Sequence, residues 1–157
     1  MTYVIETLED AKALEGKEVG VSNWILVDQK RINQFADATD DHQWIHTDPE
    51  RAARELPLGT TCAHGYLTLS LIPALIGDVV QFKGLQRLIN YGINKVRFIA
   101  PVLAGDRIRA TVSIAQAVRE EGFVRVIHDV TVNSDRLDKP VMIAQLVVLY
   151  FDPKPEG

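Results

Sequence analysis

The feature that most constrains this chain is a nearly all-round apolar segment followed directly by four long β-prone runs. From Tyr66 to Val80 the apolar residues Tyr66, Leu67, Leu69, Leu71, Ile72, Leu75, Ile76, Val79 and Val80 leave almost no polar stripe. A helix with that pattern is buried rather than laid on a surface. Gly65 stands near its start, and Pro73 inside it predicts a kink. After Gly84 the period changes. Leu88–Phe98, Asp106–Ala117, Phe123–Asn133 and Val141–Phe151 are rich in β-branched residues. They are separated by short turn clusters at Ala100–Gly105, Glu120–Gly122 and Ser134–Pro140, and connections this short favour antiparallel neighbours. A buried helix followed by a meander of strands is an α+β arrangement, an antiparallel sheet wrapped around one long helix.

The first part of the chain supplies smaller elements. A short helix is predicted around Leu8 to Leu14, with Gly16 near its end. Trp24 to Val27 is β-prone. Asp28 can cap a helix from Gln29 to about Ala38 that places Ile32, Phe35 and Ala36 on one face. Asp48-Pro49 reads as an N-cap and first helical position for a helix through Glu55, and Leu56 to Thr61 reads as loop. No repeat or low-complexity linker interrupts the 157 residues, so one domain over 1–157 is expected. Hydrophobic residues at 46% and charged residues at 24% are ordinary for a soluble globular chain. A net charge of −4 argues against a nucleic-acid partner, which calls for a basic face. Cys62 is the only cysteine, which excludes an internal disulfide. The first ten residues lack a secretory pattern and no apolar run is long enough for a membrane span, so a cytoplasmic location is expected.

Titratable groups crowd the stretch after the Gln29 helix: Asp40, Asp41, His42, His46 and Asp48. Asp41 and His46, near Trp44 and Ile45, can share one water and move its proton near neutral pH. The same residue types equally cap helices and meet solvent. His42 and His46 stand four apart, as paired metal ligands on a helix do, but no Glu follows His42 and no compact third ligand is evident. His64-Gly65 opens the apolar helix, where unpaired N–H groups can meet a developing oxyanion; tight packing explains the glycine as well. Cys62 reads as a small apolar residue. Lys95, Arg97, Arg107 and Arg109 suit phosphates or solvated strand ends alike.

Four separated runs carry a resemblance. Phe35-Ala36-Asp37-Ala38-Thr39-Asp40-Asp41-His42-Gln43-Trp44-Ile45-His46 resembles the hydratase motif of the MaoC-like family, which includes the R-specific enoyl-CoA hydratases and the nodulation protein N group. Ala63 to Leu71, Asn90 to Phe98 and Pro101 to Asp106 are similar to later parts of that family, and the likeness spans about residues 18 to 151. It implies a hot-dog fold, usually dimeric, acting on trans-2-enoyl-CoA thioesters to give R-3-hydroxyacyl-CoA. By this resemblance the catalytic groups fall on Asp41, His46 and the Gly65 N–H. Substrate contacts are expected at His64, Tyr66, Asn94, Lys95 and Arg97, with no metal and no cofactor beyond the coenzyme A of the substrate. The chain departs from the family at two places. Asp40 stands where glycine usually precedes the catalytic Asp, and Pro73 stands where many R-hydratases keep a small polar residue, a role Ser70 or Asn94 would have to take. A positive φ at Asp40 would suit Asp better than most residues. An acyl-CoA thioesterase and a non-catalytic acyl-thioester-binding domain are the competing readings, since fold does not dictate function.

Overall fold

A computed structural model describes residues 2–153. In chain order the elements are β1 (Tyr3–Ile5), α1 (Leu8–Ala13), β2 (Lys17–Val21), β3 (Ile25–Val27), α2 (Gln29–Thr39), α3 (Trp44–Thr47), α4 (Pro49–Glu55), α5 (Gly65–Ser70), α6 (Ile72–Val79), β4 (Val80–Phe82), β5 (Arg87–Phe98), β6 (Asp106–Glu120), β7 (Phe123–Ser134) and β8 (Pro140–Phe151). The helix starts follow local chemistry. Thr7 and Asp10 form a capping box at α1, the Asp28 carboxylate accepts from the Arg31 N–H at α2, and the Asp48 carboxylate accepts from the Arg51 N–H at α4. Pro49 occupies the first turn of α4, as its missing N–H permits.

The main sheet is antiparallel with strand order β2-β6-β7-β8-β5, and β3 also pairs with β6. Its inner face alternates cleanly. Ile108, Ala110, Val112 and Ile114 of β6 are buried, as are Val124, Val126, Val130 and Val132 of β7. Against this face α6 lays Ile72, Leu75, Ile76 and Val79, the i, i+3, i+4, i+7 stripe of an amphipathic helix. Its approach is close. A Cβ added to Gly20 of β2 would lie 3.2 Å from Val79 Cγ1, so glycine makes room for the helix there.

Two expectations are corrected, and three short strands are added. The long helix from Tyr66 to Val80 is two helices meeting at Leu71, and Val80 already belongs to a strand. Pro73 has no N–H to give the Leu69 carbonyl, so the chain restarts and Pro73 sits in the first turn of α6 instead of kinking a continuous helix. The strands after Gly84 are not a simple meander. β5 is followed by β6 in sequence but lies beside β8, at the far side of the sheet. The segment 99–105 therefore carries the chain across an end of the sheet, held there by Ala63 N–H to Val102 O and Ala104 N–H to Thr61 O. Finally, β1, β2 and β4 had no period-2 signature long enough to announce them. β1 and β4 form a two-stranded parallel pair, Tyr3 against Val80 through Ile5 against Phe82.

β5 ends the sheet, with one edge unpaired among the described residues. Every residue of this strand except the half-buried Val96 is exposed, among them Leu88, Ile89, Tyr91 and Ile93.

Candidate active site

The site is built where α2 ends. Asp40 closes that helix in the left-handed region at φ 58°, ψ 19°, the one non-glycine residue with positive φ among the described residues. This is the conformation in which a glycine would be at ease and Asp is tolerated. The turn delivers Asp41 into a short irregular stretch before α3, its side chain about half exposed (52%).

His46 sits in the single turn of α3 and is buried. Its segment is pinned on several sides. The Gln29 amide donates to the His46 carbonyl at 2.7 Å, the Thr61 hydroxyl donates to the Gln29 side-chain oxygen, and the Cys62 N–H donates to Ile45 O at 3.1 Å. The imidazole itself has Nδ1 2.6 Å from the Cys62 carbonyl. A carbonyl can only accept, so Nδ1 carries the hydrogen and Nε2 keeps its lone pair. Burial pushes the His46 pKa below its usual value; His64 pushes the same way, while the Cys62 carbonyl and Asp41 oppose the shift. The result is a neutral imidazole with a free basic nitrogen at neutral pH.

His64, buried just before α5, lies against both groups. Its Nε2 is 2.9 Å from the Asp41 main-chain oxygen and 3.9 Å from Asp41 Oδ2. Its ring stacks on that of His46 with centroids 3.8 Å apart and planes inclined by 27°. One donor-type atom each from Asp41, His46 and His64 lie within 4.8 Å of one another. Acid–base groups and metal ligands can both be spaced this way, and an imidazole that gives one nitrogen to a main-chain carbonyl keeps the other for either task. The pairing of His42 with His46 is not formed. His42 is exposed and lies 3.8 Å from Asp37.

Gly65 begins α5, so its N–H has no partner within the helix. A Cβ there would come within 3.2 Å of three Phe98 ring carbons. Gly65, Ala63, Thr68, Phe98 and Val102 line a cavity of about 290 Å³. Two further cavities lie along α5 and α6 against β5. One of about 270 Å³ is bordered by Leu69, Pro73, Asn90, Ile93 and Leu146. The other, about 320 Å³, shares Pro73 and Asn90 with it and extends to Ile76, Phe82, Leu88 and Tyr150.

The remaining candidates stand outside the cluster. Tyr66 is exposed and meets Phe98 edge-on, with centroids 6.1 Å apart. Asn94 donates to Gln145 at 2.9 Å, and Ser70 donates back to the Tyr66 carbonyl. Lys95 borders a different hollow with Asp129, Thr131 and Gln145, and Arg97 is exposed with its guanidinium on the Val96 carbonyl. Arg107 is paired with Asp135, while Arg109 lies over Trp24 at 4.4 Å. Sequence reasoning missed the supports, Gln29, Thr61 and the Cys62 carbonyl. They come from distant segments, and two of the links involve main-chain atoms that carry no residue signature.

Comparison with known proteins agrees with this architecture. Residues 10–136 match the family model described as a MaoC like domain. The chain is 47% identical over 147 residues to the 3-hydroxyacyl-thioester dehydratase Z of Mycobacterium tuberculosis, covering 92% of this chain and 96% of that one. It is 40% identical over 156 residues to nodulation protein N of Rhizobium meliloti, covering 94% of both. The fold superposes on the R-hydratase PhaJ1 of Pseudomonas aeruginosa with a TM-score of 0.71 at 22% identity, over 87% of this chain and 83% of that one. The antiparallel sheet with helices packed on one face is thus the hot-dog fold, and the chain belongs to the MaoC-like hydratase/dehydratase family.

Proposed function

We propose that the protein interconverts trans-2-enoyl-CoA and R-3-hydroxyacyl-CoA thioesters, with Asp41 and His46 handling the water. The observation that carries this is the buried His46 with Nδ1 committed to the Cys62 carbonyl and Nε2 free, set within 4.8 Å of the Asp41 and His64 donor atoms. In the hydration direction the thioester carbonyl lies on the Gly65 N–H, at the first turn of α5, where an enolate oxygen is stabilised as charge develops. Asp41 and His46 hold one water. One of them takes its proton as the oxygen bonds to C3, and a proton returns to C2, so the double bond is consumed and no other reactant is needed. Dehydration is the same path reversed. The relative named as a 3-hydroxyacyl-thioester dehydratase supports this direction of chemistry.

The acyl chain follows the line of cavities between the α5–α6 pair and β5, away from Gly65 and toward Phe82, with Pro73 in its wall. Coenzyme A arrives as part of the substrate and no further cofactor takes part. Two copies pair through the open edge of β5, which covers its exposed Leu88, Ile89, Tyr91 and Ile93. The single free cysteine suits a cytoplasmic setting, and no helix among the described residues is long and apolar enough to cross a membrane.

The test is absorbance in the enoyl-thioester band with crotonyl-CoA and a longer trans-2-enoyl-CoA, run beside a free-thiol assay. Loss of the band without thiol release is expected. Thiol release would make the protein a thioesterase. Binding of acyl-CoA with no turnover would make it an acyl-thioester-binding domain.

A further inference from the structure

His64 has no task in the reaction just described, yet it touches both of the groups that do. Its side chain is only 2% exposed, too enclosed to meet solvent. Because Nε2 lies 2.9 Å from the Asp41 carbonyl, Nε2 carries the hydrogen and donates it. Nδ1 is then an unprotonated, buried atom without a hydrogen-bond partner. Leaving a buried acceptor unmet is costly, about 1–3 kcal/mol, so an imidazole in this place asks for an offsetting role. Phe35 of α2 packs against the ring at 5.0 Å, and His46 stacks on it at 3.8 Å.

We propose that His64 is a positioning residue, tethering the Asp41 main chain and bracing the His46 ring so that both address the same water. The Asp41 carbonyl receives no other hydrogen bond among the described residues, and it directly follows the left-handed turn at Asp40. Without the tether the half-exposed carboxylate is free to swing with its loop. His46 is fixed at Nδ1 by Cys62, which still allows the ring to tilt about that bond; the stacked His64 ring blocks the tilt. Displacements of about 1 Å in a catalytic group cost on the order of a hundredfold in rate. The titratable groups against the His46 ring are Asp41, Cys62 and His64. Asp41 favours a proton on His46 and His64 disfavours one, since two stacked imidazolium ions repel.

The kinetic consequence rests on the hydration reading, so two variants and a substrate-free measurement are needed. His64→Phe keeps a stacked ring and loses the donor. Its kcat is expected to fall roughly tenfold to a hundredfold with KM unchanged within about twofold. His64→Gln keeps an amide donor and loses the ring. It should recover the part of kcat that the tether supplies and stay several-fold below wild type because the His46 ring is no longer braced, while the acidic limb of its pH profile moves upward. Wild-type kcat in His64→Phe, or a loss confined to KM as for a substrate contact, overturns the proposal. The titration of the His46 ring followed by NMR in wild type and His64→Gln reads the contact without substrate. An upward shift in His64→Gln supports the ring contact on which the bracing depends, and an unmoved or lowered midpoint overturns it, even if the wild type hydrates no enoyl thioester and only the preceding reading falls.

Discussion

Replacing Asp41 by Asn separates catalysis from folding more sharply than any other single change. The Asp41 side chain is about half exposed, and the nearest nitrogen, His64 Nε2, stands 3.9 Å away. A half-exposed carboxylate that far from an imidazole N–H makes a contact worth between nothing and about 1 kcal/mol. The amide has nearly the same shape, so the expected stability change is about 0.5 kcal/mol or less, a shift of roughly 1–2 °C in Tm for a chain of this size. The tether from His64 runs to the main-chain carbonyl and survives the substitution. The chemistry does not. Asn cannot take a proton, and a positioned general base is worth about 10²–10⁴ in rate, or roughly 2.7–5.4 kcal/mol of barrier. Enoyl-thioester turnover measured beside a thermal melt should therefore show kcat down by about a thousandfold with Tm almost still. A variant that retains more than a tenth of wild-type kcat, or one that loses activity only by unfolding, would refute the assignment of Asp41 as a proton carrier.

Other consequences can be tested alongside. Asp40 at φ 58° makes Asp40→Ala lose about 1 kcal/mol, some 2–4 °C in Tm, while Asp40→Gly stays within about 0.5 kcal/mol because relief of strain offsets the freer unfolded chain; a neutral Ala variant would contradict this. His128 is fully buried with Nε2 on the Tyr150 hydroxyl, and burial pulls its pKa down to about 4. Below pH 6.5 the unfolded chain therefore binds a proton that the folded chain refuses, so stability falls as pH drops from 6.5 toward 4 and is fully present above 6.5, a loss of about 2 kcal/mol by pH 5. Urea melts at pH 7 and pH 5 should show that loss in wild type and a smaller one in His128→Gln. A charge placed on the open sheet edge by Ile93→Asp should shift the mass measured by light scattering from dimer toward monomer with the circular dichroism unchanged.

Much of this protein was legible along the chain. The caps at Asp28 and Asp48, the Ile32 and Ala36 face of α2, and the four long β-prone runs all appear in the structure within a few residues of where the pattern places them. These are local matters. A cap concerns residues three apart, and burial of one face imprints a period of two or 3.6 on the side chains. The break at Leu71 was half legible, because Pro73 announced an interruption but not whether the helix would bend or restart. Only the tertiary structure decided that β5 lies beside β8, since strand order depends on which apolar faces meet and not on the residues of the connecting turn. Only it brought His64 onto His46 and the Cys62 carbonyl onto Nδ1. Those contacts join segments 16 to 18 positions apart in the chain, and the hydrogen bond ends on a main-chain oxygen that every residue possesses. Local pattern thus brought Asp41 and His46 forward as candidates, and the packing of distant segments determined which nitrogen of His46 is left free.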